Sequence, residues 1–443
     1  MSTSYRTGAL LERAYAQTKG LPIECCHIGG DAAQQLGAYA AGRCGASCLV
    51  ISDANTHAVG KPAIDALRGA GKTLAEHVFD ELHLDATEEL GDRVAELGAK
   101  SDFFVAIGSG TLCDLAKHAG TKLKRPVLVY ATAASMNGYT SGITAVKVRG
   151  LKRTVPCTPV LAVFADPCVV AAAPPRMAAA GVADYLSKCS AGADWRVANL
   201  LRGEYYDENA LRFYEGALER VLETTARVGA GEPEAVAIAL EALLLSGLSM
   251  LVAGSSAPAS GGEHLISHYI DMKQALYGTP NDLHGVQVGV GTVHCLKLWE
   301  RVLALDPKDI DPDALAKAQP ADEDVARWAM EDWGEAVAAE VLAQWRQKSR
   351  PRDALRSEIA QFRDRLPEIR GAVSKDLLPS STVAKAIRES GGPAEPEGMN
   401  APVEEYRKAL VRARFIRNRF TILDLAAEVG VHQDGRLNSV PYR

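Results

Sequence analysis

No lysine- or arginine-rich run stands out in this chain. Its 49 basic and 55 acidic side chains are mixed over 443 residues, for a net charge of −6. That pattern disfavours a nucleic-acid-binding protein, so no nucleic-acid partner is expected. Zinc-finger cysteine spacings are also missing. The nine cysteines lie mostly among apolar or small residues, and their odd number predicts reduced thiols in a cytoplasmic protein. The opening MSTSYRTGALLERAYAQTKG lacks the apolar core of a secretory signal. No apolar run of roughly 20 residues, the length of a membrane span, is apparent, and no membrane partner is expected. Repeats, low-complexity tracts and the GxGxxG fingerprint of ordinary Rossmann domains are absent too. The third position after Gly110 is Cys113.

What is present is an alternation of strand and helix over residues 1–172, followed by helix patterns over 173–443. The length exceeds one ordinary domain, and two are expected. Short β-branched and apolar runs at 48–53, 75–80, Phe103–Ile107 and 126–132 read as buried parallel strands, with helices between them. An open parallel α/β sheet places ligands at the carboxyl ends of its strands. Asp53 ends the first of these runs. Gly108-Ser109-Gly110-Thr111 follows the third and opens a helix carrying Asp114. Glycines admit an anion close to the backbone, and a helix N-terminus offers N–H groups to it. The same pattern also serves as a plain tight turn. Residues 131–146 crowd Thr132, Ser135, Asn137, Thr140 and Ser141 after the fourth strand. They suit either a self-bonded polar loop or, beside a phosphate turn, a ligand cradle. A hairpin-like pair follows, and DPCVVAAAPPRM (166–177) joins the two halves.

In the helical half, Asp184 lies among small apolar neighbours, where a carboxylate must be paired or metal-bound. Pairing with Lys188, four residues on, is one solution. SGGEHLISH (260–268) sets His264 and His268 four residues apart, on one face of a helix, and His284 follows in LHGVQVGVGT. Two imidazoles and a carboxylate from separate segments suit one divalent metal with positions left open. Spacing alone leaves His264 and His268 as equal candidates. His294 reads as a core or surface residue. Trp299, Trp328, Trp333 and Trp345 read as packing anchors. A basic face at Arg412, Arg414, Arg417 and Arg419 reads as solvated, internally paired or anion-binding.

ISDANTH (51–57), AIGSGTLCDLAK (106–117), TAASMNGYTSG (132–142), AAGVADYLSKCSAGADW (179–195), ASGGEHLISHYIDM (259–272), LHGVQVGVGT (283–292) and ARFIRNRFTILDLAAEVG (413–430) together resemble a known family. It is the glycerol dehydrogenase and dehydroquinate synthase-like superfamily, and within it the sn-glycerol-1-phosphate dehydrogenases of the bacterial arabinose-operon type. The resemblance implies a dinucleotide-binding α/β domain, a helical domain and an active site in the cleft between them. It implies that Gly108, Ser109, Gly110, Thr111 and Asp114 form the NAD(P) phosphate turn. Thr132, Ser135 and Ser141 would line the cofactor, with Asp53 near its ribose. Asp184, His264 and His284 would hold one divalent metal, and His268 would contact substrate. Asn137 stands where the family has a substrate-contacting Asp; an amide keeps the hydrogen-bonding shape without the charge. Lys188 is placed against either the substrate phosphate or Asp184. A homodimer is implied.

These roles suit reduction of dihydroxyacetone phosphate to sn-glycerol 1-phosphate, feeding glycerophospholipid-type metabolism. The metal (zinc, nickel or iron) would act as Lewis acid, NAD(P)H would give hydride, and a proton would arrive through His268 or water. Competing readings are a dehydrogenase of glycerol or another polyol, a dehydroquinate synthase-like lyase, and an inactive binding homologue.

Overall fold

The computed structural model describes residues 7–81, 84–148 and 151–431. Its residues gather into two compact units. Unit 1 comprises Met1–Tyr185, Asn209–Ser255 and Glu389–Gly392; unit 2 comprises Leu186–Glu208, Ser256–Arg388 and Pro393–Arg443. The boundary expected at 172–173 follows the end of the sheet, whereas packing keeps the Pro175–Leu186 and Pro233–Ala253 helices almost wholly with unit 1.

Unit 1 is built on strands β1 (Cys25–Ile28), β2 (Ser47–Asp53), β3 (Thr73–Phe79), β4 (Phe103–Gly108), β5 (Val127–Ala131), β6 (Ile143–Val148), β7 (Leu151–Pro156) and β8 (Ala162–Ala165). Six form a parallel sheet in the order β1-β8-β5-β4-β2-β3, and β6 and β7 form a separate antiparallel hairpin. Central strands β4 and β5 are buried throughout, as continuous apolar runs demand of strands covered on both faces. Phe103, Val105, Leu128, Tyr130 and Phe164 meet helix residues Leu36, Ile64 and Leu67 in one core. The four expected parallel strands are all present. Edge strand β1 went unread, because its four half-buried residues give neither an apolar run nor a clean alternation.

The absence of a long apolar run is corrected here. The Pro233–Ala253 helix is long and apolar enough to cross a membrane, but 89% of its most apolar window is buried inside the protein. Glu241 interrupts the run and hides its length. It accepts hydrogen bonds from the backbone N–H groups of Leu10 (2.8 Å) and Leu11 (3.2 Å) and pairs with Arg220 (3.2 Å). Charge inside this helix is thereby satisfied, and most of its remaining residues pack as core.

Unit 2 is helical. Its long elements include Lys188–Arg202, Gly262–Tyr277, His284–Leu303, Asp322–Lys348 and Arg352–Val373. Trp299, Trp328, Trp333 and Trp345 are all buried. Arg412 pairs with Asp332 (2.9 Å) and Glu331 (3.1 Å), and Arg414 with Asp424 (3.2 Å). That part of the basic face is paired within the protein. A buried charge network links Arg202 to Glu358 (2.7 Å) and Glu428 (2.9 Å), and Lys348 to Asp424 (2.8 Å).

Candidate functional site

Three metal-binding side chains converge. One carboxylate oxygen of Asp184 and one ring nitrogen each of His264 and His284 all lie within 4.8 Å of one another. Asp184 and His264 are buried, at 1% and 5% exposure. The two histidines come from the adjacent Gly262–Tyr277 and His284–Leu303 helices. At Gly291 an added Cβ would meet the Glu263 carbonyl at 3.0 Å, so the helices touch backbone to backbone there. His268 is one turn beyond His264. Its ring centroid is 6.3 Å from His264 and 5.8 Å from His284. The structure thus separates the two histidines that spacing left equal.

The ring orientations suit a metal. His264 Nδ1 is 2.9 Å from Glu263 Oε1, which also accepts from the Gly261 N–H at 2.6 Å. A carboxylate only accepts, so His264 carries its proton on Nδ1 and would offer Nε2. His284 Nδ1 is 3.1 Å from Ser267 Oγ, which also receives the Gln287 amide at 3.0 Å. Gln287 reaches Asp271 as well (3.0 Å), extending the polar chain behind the ring. Two imidazoles and one carboxylate of this size and softness fit a divalent transition metal with positions left open.

The helix start that carries His264 is held from below. Asp194 accepts from the Gly262 N–H (2.8 Å) and the Ile422 N–H (2.9 Å). Burial, and then the Glu263 charge, push the Asp194 carboxyl well above its ordinary value. A Cβ at Gly261 would lie 2.5 Å from Asp194 Oδ2 and 2.9 Å from Glu263 Oε2, so a side chain there must displace the carboxylates that hold the helix start. Burial also drives the His268 imidazole well below its usual value, helped by the positive charge of Arg417. A neutral His268 at pH 7 is a ready proton acceptor. Lys188 is buried and donates to the Ala259 carbonyl (3.1 Å) and Ser187 Oγ (3.2 Å). Glu263, Ser267, Gln287 and Asp194 were missed as site residues. In GGEH, the acidic residue directly before a histidine was the one available signal.

In unit 1, β2 and β4 are neighbouring parallel strands, with Ile51 opposite Ala106. The chain runs outward from β2 to β3 on one side and from β4 to β5 on the other. Their carboxyl ends therefore mark a switch point of the sheet, where nucleotides bind in open α/β folds. Asp53 ends β2 and the Gly108–Thr111 turn ends β4. Asp53 Oδ1 accepts from the Asn55 N–H (2.9 Å) and the Thr56 N–H (2.8 Å). Ser109 precedes the 14-residue Gly110–Leu123 helix and makes no side-chain cap to it. That leaves the helix start to accept an anion, and the turn fits a dinucleotide phosphate.

The other expected cofactor residues lie nearby in chain and space. The Thr132 N–H donates to the Gly108 carbonyl (3.2 Å), and Ser135 is half-buried. Asp114 accepts from the Ala145 N–H (3.1 Å). Ser141 Oγ donates within its own loop, to Gly138 and Ile143 carbonyls (both 3.1 Å). The buried Lys117 donates to the Gly138 carbonyl (2.9 Å) and Ser141 Oγ (3.3 Å), pinning the same loop. Asn137 donates from Nδ2 to Ser246 Oγ (3.1 Å), and Thr140 donates to the Leu244 carbonyl (2.7 Å). The polar stretch is thus both self-bonded and docked on the Pro233–Ala253 helix.

A family model described as iron-containing alcohol dehydrogenase matches residues 27–174. A Bacillus velezensis protein named glycerol-1-phosphate dehydrogenase (NAD(P)+) is 33% identical over 279 residues, spanning 62% of this chain and 71% of that one. The protein of that name from Bacillus subtilis is 31% identical over 354 residues, spanning 77% and 86%. Glycerol dehydrogenase from Schizosaccharomyces pombe superposes with a TM-score of 0.52 at 18% identity, covering 95% of each chain; it shares the fold. Sequence likeness and shared architecture agree that this chain belongs to the glycerol-1-phosphate dehydrogenase family, among the iron-containing alcohol dehydrogenases.

Proposed function

We propose that the protein interconverts dihydroxyacetone phosphate and sn-glycerol 1-phosphate, using NAD(P) and one divalent metal. The observation that carries this reading is the Asp184, His264 and His284 cluster, with its donor atoms within 4.8 Å of one another, in a chain of this family. Bound in their places, the metal supplies a Lewis acid for the substrate oxygen and the nicotinamide supplies or accepts hydride.

The chain's own residues do the rest. Asp184, His264 and His284 hold the metal, with Glu263 and Ser267 fixing the two rings. His268, kept neutral by its surroundings, accepts the hydroxyl proton when the alcohol is oxidised and returns it in the reverse direction. The Gly108–Thr111 turn and the start of the Gly110–Leu123 helix bind the cofactor phosphates, with Asp53 at the ribose and Asp114, Thr132, Ser135 and Ser141 around it. Asn137 offers its carbonyl oxygen to a substrate hydroxyl, and Lys188 adds positive charge. A homodimer in the cytoplasm, supplying a glycerol phosphate for phospholipid synthesis, completes the proposal.

The test is NAD(P)H oxidation with dihydroxyacetone phosphate, beside dihydroxyacetone as the unphosphorylated control and His264→Ala as the inactive control. A marked preference for the phosphorylated ketone, abolished in His264→Ala, is expected. Equal turnover of both ketones, or phosphate release without net NAD(P)H oxidation, overturns the proposal.

A further inference from the structure

A line of buried polar side chains joins the two histidine-bearing helices. Ser267 and Asp271 lie four residues apart on Gly262–Tyr277, and His284 and Gln287 three apart on His284–Leu303, so each pair shares one helix face. Asp271, Ser267 and Gln287 are all buried. Asp271 Oδ1 accepts from Gln287 Nε2 (3.0 Å) and from Asn281 Nδ2 (3.0 Å). Gln287 Nε2 also donates to Ser267 Oγ (3.0 Å), and that hydroxyl stands 3.1 Å from His284 Nδ1. At the other end of the amide, Gln287 Oε1 takes the Asp282 N–H at 3.4 Å. A carboxylate only accepts and a backbone N–H only donates, so these two groups fix which way the amide points. One amide N–H is thereby aimed at Ser267, and the Ser267 hydroxyl is held against the ring.

We propose that Asp271 is a positioning residue for the metal: acting through Gln287 and Ser267, it holds the His284 ring so that Nε2 faces Asp184 and His264. This rests on the function proposed above, in which His284 is a ligand. The neighbouring ring shows the shorter form of the same device. His264 meets the Glu263 carboxylate directly, at 2.9 Å, whereas His284 meets the Asp271 carboxylate through two intervening side chains. A carboxylate behind a ligand imidazole fixes its orientation and raises its basicity. Asn281, three residues before His284, ties the same carboxylate oxygen to the segment that leads into the helix. Ring and helix start are therefore held from one point. Asp271 belongs to the Gly262–Tyr277 helix that carries His264, so this bond also sets one metal-bearing helix against the other.

The experiment measures cobalt(II) affinity by competition with a chelator, with no substrate or cofactor present. The proteins are wild type, His264→Ala, Asp271→Leu, Asp271→Asn, Gln287→Met and the Asp271→Leu, Gln287→Met double variant. Losing a support of this kind lowers metal affinity by about 10- to 100-fold. That loss is expected in Asp271→Leu and in Gln287→Met, with a smaller one in Asp271→Asn, whose side-chain carbonyl still accepts. The double variant is expected to lose no more than the worse of the two single ones, because both changes cut the same line. Independent structural damage would instead multiply the two losses. Wild-type affinity in Asp271→Leu, or multiplied losses in the double variant, overturns the proposal. If Asp271→Leu does not fold, Gln287→Met decides the matter, since it keeps the length of the side chain without the amide; unchanged affinity there overturns the proposal. If wild type binds no cobalt that His264→Ala fails to bind, the function proposed above falls and this inference falls with it.

Discussion

Gly181→Ala is a small change with a large expected reach. Gly181 lies in the Pro175–Leu186 helix, three residues before Asp184. A Cβ built on it would sit 1.9 Å from the Ala134 carbonyl oxygen and 3.0 Å from a Leu243 methyl. Ordinary Cβ contact begins near 3.4 Å, so helix and loop must part by about 1.5 Å. The obstacle is backbone, which cannot rotate away as a side chain can. Overpacking of this kind costs about 1–3 kcal/mol, and this contact belongs at the upper end. Alanine's better helix propensity returns about 1 kcal/mol. The net loss is therefore about 2 kcal/mol, a fall in Tm of several degrees. The effect on the metal should be larger in proportion. Asp184 is one turn away on the same rigid element, and misplacing a reacting group by about 1 Å can cost about 100-fold. Thermal unfolding of the metal-free protein and competition with a chelator for the loaded ion measure the two effects separately. A variant with wild-type Tm and wild-type metal affinity would refute the claim that the close approach at Gly181 sets the position of Asp184.

Removing the charge that orients His264 should weaken the metal without unfolding the protein. Glu263→Gln, read by chelator competition, is expected to lower metal affinity by about 10- to 100-fold; unchanged affinity would show that Glu263 does not hold the ring. A pH effect is expected from Glu428, whose carboxyl is raised by burial to about 7, well above the ordinary glutamate value, with Arg202 pulling the other way. The folded state thus keeps the proton longer than the unfolded one. Stability from this group is fully present below about pH 4.5 and is lost as pH rises through about 7. The Tm of wild type minus that of Glu428→Gln should fall across that window; a difference that is flat or rises with pH contradicts the assignment.

Much of the sheet was legible because β2, β4 and β5 are buried on both faces and so are written as unbroken apolar runs. The short edge strand β1 is not. The Pro233–Ala253 helix escaped notice as a long apolar run because Glu241 divides it, and only the fold reveals Arg220 and the backbone of Leu10 and Leu11 as its partners. Helical periodicity also fails to say which neighbour a helix will pack against, so the grouping of Asn209–Ser255 with the sheet could not be read in advance. At the site, residue type and spacing singled out Asp184, His264, His268 and His284. Choosing among the histidines needs the angle between two helices, which no spacing contains. The supports behind the rings, Ser267 and Gln287, are ordinary helix residues until His284–Leu303 is laid beside them. Gly181 and Gly261 look like small residues in small-residue stretches; their necessity appears only as the distance to a carbonyl or a carboxylate.

The central claim is that Asp184, His264 and His284 hold one divalent ion on which NAD(P)-linked turnover of glycerol 1-phosphate depends. The most direct test strips the protein of metal, verifies its absence by elemental analysis, and follows NAD(P)H formation from glycerol 1-phosphate as metal is returned. Activity near zero in the stripped protein, rising to a plateau at about one ion per chain in wild type and failing to rise in His264→Ala, is the predicted result. Full turnover in the verified metal-free protein would contradict it.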